Sequence, residues 1–159
     1  MADHTKVLAS IAAATDPAKL RTLRENAQRL GVSQVDEAAF RRLVEILPEE
    51  APGSIEQDLW KTIHAFEEIP RDERGKTVRL SRTRQKIDRV GVMRTLIDFA
   101  VSKTPTDGFN MLIERRLPEL TGEALVLKHA SRFEPEVLEA ARSRLEEAGV
   151  DTSRLWTQT

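Results

Sequence analysis

Residues 16–48 read DPAKLRTLRENAQRLGVSQVDEAAFRRLVEILP, and the punctuation of this stretch decides the class of fold. Asp16 before Pro17 is a helix start: the carboxylate accepts from free backbone amides, and a proline at the first helical position gives up no amide that was needed. Leu20, Leu23, Ala27 and Leu30 then recur at helical spacing, and Gly31 supplies the stop. Ser33 with Asp36 resembles a capping box for a further helix whose stripe is Phe40, Leu43, Val44 and Leu47, and Pro48 ends it.

The same grammar extends in both directions. Upstream, residues 5–14 carry Val7, Leu8, Ile11 and Ala12 on one helical stripe. Downstream, Glu49 to Gly53 is a polar, proline-containing connection. Ser54 with Gln57 then forms a Ser-x-x-Gln capping box for a helix bearing Ile55, Leu59, Trp60, Ile63, Phe66 and Ile69, closed by Pro70. Residues 71–80 lack an apolar period and contain Gly75, the pattern of a mobile basic linker or extended arm. From Ser81 to Lys103 the stripe Ile87, Val90, Met93, Ile97, Ala100 fits one long helix or two helices meeting near Gly91, since a mid-helix glycine costs about 0.8 to 1 kcal/mol relative to alanine. Asp107 is expected to cap a helix carrying Phe109, Leu112 and Ile113. Thr121 precedes a short helix, and Pro135 and Gly149 bound the last long one. No alternating run is strong enough for a sheet, although a short strand at 78–80 or 125–127 is compatible with the pattern.

The expected fold is therefore all-α, with seven to eight short amphipathic helices in an irregular helical bundle. An N-terminal helical hairpin region spans 1–70, a basic linker 71–80, and a C-terminal helical region 81–159. Composition agrees: of 159 residues, 32% are charged, 40% hydrophobic and only 4% aromatic. Cysteine is absent, which excludes a disulfide scaffold, a thiol nucleophile and thiolate metal sites. No secretory apolar region and no run of about 20 apolar residues occurs, so the expectation is a cytoplasmic protein that does not enter the membrane.

The hairpin at 16–48 resembles in part a tetratricopeptide repeat, an α-hairpin of about 34 residues that holds partner peptides. Leu20, Leu23, Ala27, Phe40 and Pro48 carry the resemblance. Arg24 stands where that repeat prefers glycine and Asp36 where it prefers alanine, and the following residues do not repeat the pattern.

Charge is distributed in two opposed blocks. Residues 71–94 hold nine bases against three acids, and residues 34–70 hold nine acids against three bases. Such polarity makes a basic face for a polyanion or lets the two blocks attract each other. Arg79, Arg82, Arg84, Lys86 and Arg89 gather at the start of the helix that begins near Ser81, and on a regular helix Arg82, Lys86 and Arg89 share one face at i, i+4 and i+7. These five are the candidate nucleic-acid-binding residues, because phosphate binding requires charge and reach. A weak helix-turn-helix pattern over 84–100 places a turn at Gly91. No aromatic residue lies between Phe66 and Phe99, which argues against a single-strand stacking platform.

Other motifs fail on a missing residue. Gly75-Lys76-Thr77 ends like a phosphate-binding loop, but Pro70 stands where that loop needs its first glycine. His64, Glu68 and Asp58 share one helix without a second set of metal ligands. Glu67 with Glu68 and Glu146 with Glu147 read as solvated charges. No nucleophile, base and orienting group assemble by spacing. The expectation is a non-enzymatic nucleic-acid-binding or DNA-associated accessory protein with no cofactor and no metal. The alternative is a protein-protein interaction adaptor built from helical hairpins, meeting an acidic partner through the basic arm or a basic partner through the acidic helices.

Overall fold

The computed structural model describes residues 4–51, 53–71 and 78–155. Gly75-Lys76-Thr77, Trp156 and most of the 71–80 linker lie outside these residues. Within them the chain is all-helical, and the residues proposed for short strands are otherwise engaged: Leu125 to Leu127 sit inside a helix, and Val78 to Leu80 form an irregular lead-in to one. The elements are α1 (Thr5–Ala13), α2 (Pro17–Leu30), α3 (Ser33–Ile46), α4 (Ile55–Glu68), α5 (Ser81–Val101), α6 (Asp107–Glu114), α7 (Gly122–Lys128) and α8 (Pro135–Glu147), with 3₁₀ turns at Pro118–Leu120, Ala130–Arg132 and Thr152–Arg154. No helix among the described residues is long and apolar enough to cross a membrane.

The chain divides into two compact units at 49/50, within the connection read from the sequence at Glu49 to Gly53. In the first unit α1 and α2 both pack on α3. Ile11, Leu20, Ala27, Val35, Ala39 and Leu43 form its core. Asp16 caps α2 by accepting from the Ala18 amide at 3.0 Å, and Gly31 ends it in the left-handed conformation at φ 72°. The start of α3 differs from the expected box. Val32 is the N-cap and Ser33 the first helical residue, because the Asp36 carboxylate is drawn away to Arg24, whose Nε donates to it at 2.8 Å. Arg24 is only 3% exposed and its guanidinium lies 4.8 Å from the centre of the Phe40 ring. The two departures from the tetratricopeptide pattern are thus the two ends of one ion pair. Where the repeat brings backbones together over small residues, this hairpin inserts a buried guanidinium.

In the second unit α4 packs against α5, α6 and α7, while α5 and α7 both contact α8. The Ser54 hydroxyl accepts from the Gln57 amide at 3.0 Å, and the Gln57 side chain closes the box one residue early by accepting from the Gly53 amide at 2.9 Å. Thr106, not Asp107, caps α6: its hydroxyl accepts from the Phe109 amide, placing Asp107 in the first turn. The short helix α7 is the most enclosed element, with every residue from Thr121 to Val126 buried. Close approach requires its first residue to be glycine, since a Cβ on Gly122 would stand 2.7 Å from the Phe99 ring. Phe109, Ala124 and Leu145 anchor this core.

α5 is two helices rather than one. Gly91 has φ 88° and ψ 168°, a region open essentially to glycine alone, and the helix breaks there. Before the break only Ile87 is buried; after it Thr95, Leu96 and Ala100 are. Lys86 Nζ lies 2.7 Å from Asp98 Oδ2. Twelve residues of straight helix would separate these positions by about 18 Å, beyond the combined reach of the two side chains, so the contact requires the sharp bend.

Candidate nucleic-acid interface

The lead-in to α5 is pinned to the last turn of α4 by one carboxylate. Glu67 Oε2 accepts from the Leu80 amide at 2.7 Å and from Arg84 Nε at 2.8 Å, and Glu67 Oε1 accepts from Arg84 Nη2 at 2.5 Å. The Glu67 carbonyl also accepts from the Val78 amide at 3.0 Å. A bidentate guanidinium-carboxylate pair fixes both distance and plane. Arg84 completes the arrangement by lying over the Trp60 indole, 5.2 Å from its centre, and Trp60 is tilted against His64. Burial pushes the Glu67 pKa up, but the Arg84 and Leu80 hydrogen bonds together with the Arg84 and His64 charges outweigh it and hold the carboxyl below its ordinary value. The hydrogen bond to Glu67 correspondingly raises Arg84.

The expectation that Glu67 and Glu68 are solvated is therefore overturned: they are 6% and 1% exposed. The signal that would have found Glu67 is absent from local spacing, because its partners lie 13 and 17 residues further along the chain.

The five candidate bases are divided by their surroundings. Arg84 faces α4 and is paired with Glu67; Lys86 is paired across the bend with Asp98, whose carboxyl is held below its ordinary range first by the Lys86 hydrogen bond. Arg79, Arg82 and Arg89 are exposed and have no acidic partner among the described residues. The regular face expected for Arg82, Lys86 and Arg89 is altered in one member. Lys86 is half-buried toward Asp98, and the solvent stripe runs Ser81, Arg82, Gln85, Asp88, Arg89. Of the acidic block, Glu67 meets the basic block, whereas Asp36, Glu37 and Glu45 pair with Arg24, Arg41 and Arg42.

Comparison with family models, with curated proteins and with solved structures finds no match to this chain.

The bend also reverses the helix-turn-helix expectation. That pattern assigns the reading role to the helix after the turn, yet here the segment after Gly91 supplies core residues and the segment before it is the exposed one.

The residues drawn as a metal or acid/base site on α4 serve separate structural ends. Asp58, 4% exposed, lies 2.7 Å from His129 Nε2 and 3.0 Å from Lys128 Nζ, tying the first turn of α4 to the end of α7. His64 Nδ1 stands 3.9 Å from Glu67. Among the described residues no three histidine or carboxylate groups converge on one point. A further buried pair locks the far end of α5. Arg144 donates to the Phe99 carbonyl at 2.7 Å and to the Ser102 carbonyl, and it reaches Glu123 at 3.4 Å. Desolvation raises the Glu123 pKa despite that cation.

Proposed function

We propose that this protein binds nucleic acid, with Arg79, Arg82 and Arg89 contacting phosphates and Arg84 and Lys86 holding the helix that carries them. The observation that supports the reading most strongly is the division of the basic block. Its inward members are ion-paired with carboxylates, while Arg79, Arg82 and Arg89 are exposed on one short helix and its lead-in with no ion pair to an acid among the described residues, Asp88 being the one acid on that outward stripe. Unmatched surface guanidinium groups attract polyanions and release their counterions on binding, which is a sequence-independent source of affinity. Rigid support adds to it, because a helix already fixed by Glu67 and Asp98 loses little freedom when it docks.

The test is fluorescence anisotropy with labelled duplex DNA and duplex RNA at low salt, comparing the parent with an Arg79→Ala/Arg82→Ala/Arg89→Ala variant whose thermal melt is measured alongside. The reading predicts saturable binding by the parent, at least a tenfold loss in the variant, and an unchanged melt. Equal affinity of the two proteins, or no binding by the parent, defeats it. Retention of an acidic protein surface by the parent alone, with no nucleic-acid binding, would place the same three residues in a protein interface.

A further inference from the structure

The outward stripe of the first half of α5 contains more than charge. Gln85 lies three residues after Arg82 and four before Arg89, so the three side chains share one face. All three are exposed, and the Gln85 amide makes no hydrogen bond to any described residue. The inner face is committed to the body through Arg84 with Glu67, Lys86 with Asp98, and buried Ile87. We infer that this segment enters the major groove of duplex DNA and reads base edges, with Gln85 as the residue that discriminates. The inference rests on the nucleic-acid reading above and narrows it to duplex DNA with a sequence preference.

Dimensions and chemistry support this. The segment from Ser81 to Val90 is about 15 Å long and about 10 to 12 Å across, and a major groove about 12 Å wide admits a helix of that size. Arg82 and Arg89 are about 10.5 Å apart along the axis, which spans about three base-pair steps at about 3.4 Å each. Gln85 falls between them. A glutamine amide offers the donor and acceptor that match the N7 and N6 edge of adenine, whereas phosphate oxygens accept only and use half of it. Asp88, exposed on the same stripe, carries a charge that supports Arg84, and its carboxylate has the acceptor chemistry that matches the exocyclic amine of cytosine while repelling phosphate. The bend at Gly91 ends the segment after one short helix, so its exposed stripe belongs to a short element and not to a long rod.

The experiment is selection of bound sequences from a randomised duplex DNA pool by the full chain, with Gln85→Ala carried through in parallel. Anisotropy then compares the enriched duplex, a scrambled duplex of the same composition, and the enriched sequence as duplex RNA. Gln85 is exposed, so the substitution spares the fold, and a circular dichroism melt checks that. The inference predicts at least about tenfold preference of the parent for the enriched over the scrambled duplex, since one well-placed side chain on a base edge supplies that much. Gln85→Ala should lose most of this preference while keeping its affinity for the scrambled duplex. Duplex RNA, whose deep narrow major groove excludes side chains, should bind no better than scrambled DNA. Salt-dependent binding with no enriched sequence, a preference unchanged by Gln85→Ala, or RNA binding as tight as the enriched DNA overturns base reading but leaves phosphate binding standing. Absence of binding to every probe removes both.

Discussion

Glu67 shows how much one side chain decides. It is an acid in an acidic block, and its role comes from what lies beyond the helix that carries it: two backbone amides and a guanidinium converge on it from the lead-in to α5. Removing one partner of a buried pair leaves the other charge unsatisfied, so Glu67→Gln is expected to destabilise the fold by about 3 kcal/mol at neutral pH. The sign of the pH effect follows from its lowered pKa. The Glu67 contribution is present above the ordinary carboxyl value of 4.5 and lost as pH falls through the lower folded value. Glu123 runs the other way: its raised pKa means that the folded protein gains stability as pH falls through that value. Urea melts across pH 3 to 7 should therefore show the gap between parent and Glu67→Gln narrowing as pH falls from the ordinary value of 4.5, where the carboxyl of the unfolded chain takes up its proton, toward the lower value at which folded Glu67 does so. A gap constant with pH would assign the loss to packing.

At the scale of elements, the sequence shows most of the helices and few of their partners. Start and stop residues such as Asp16, Ser54, Thr121 and Gly31 act within one turn of where they stand, so their spacing is enough to place the helices. Ser33 misleads because a long-range guanidinium takes Asp36 from the local amide. Gly91 is ambiguous for a similar reason. Its neighbours carry a helical stripe on both sides, and only the tertiary pairing of Lys86 with Asp98 decides between a continuous rod and a bend. With φ at 88° and no atom within 4 Å of where a Cβ would stand, Gly91→Ala meets no steric neighbour and suffers backbone strain alone. The expected cost is about 1 to 3 kcal/mol, read from thermal or urea unfolding. A neutral or stabilising outcome would mean that the helix accepts the straight form. The candidate site was legible in the same partial way. The clustering of bases is visible in the chain, whereas their division into inward and outward sets depends on Glu67 and Asp98, which lie on the preceding helix and beyond the bend.

At the scale of the whole molecule, a formal net charge of -1 conceals a chain in which many acids hold helices together. Asp36 does this with Arg24 in the first unit, and Asp58, Glu67, Asp98 and Glu123 do so in the second. What remains outward on α5 and its lead-in is a short basic stripe, so affinity for a polyanion should be modest in the number of phosphates engaged. The salt dependence counts them. The slope of log affinity against log salt for duplex DNA is about 0.9 per phosphate neutralised. Three contacts from Arg79, Arg82 and Arg89 predict a slope of about -2.7 for the parent, falling toward zero in the triple alanine variant. A parent slope near about -4.5 would show that Arg84 and Lys86 also leave their carboxylates for phosphate. A slope near zero, or one unchanged by the three substitutions, would contradict the account at its centre.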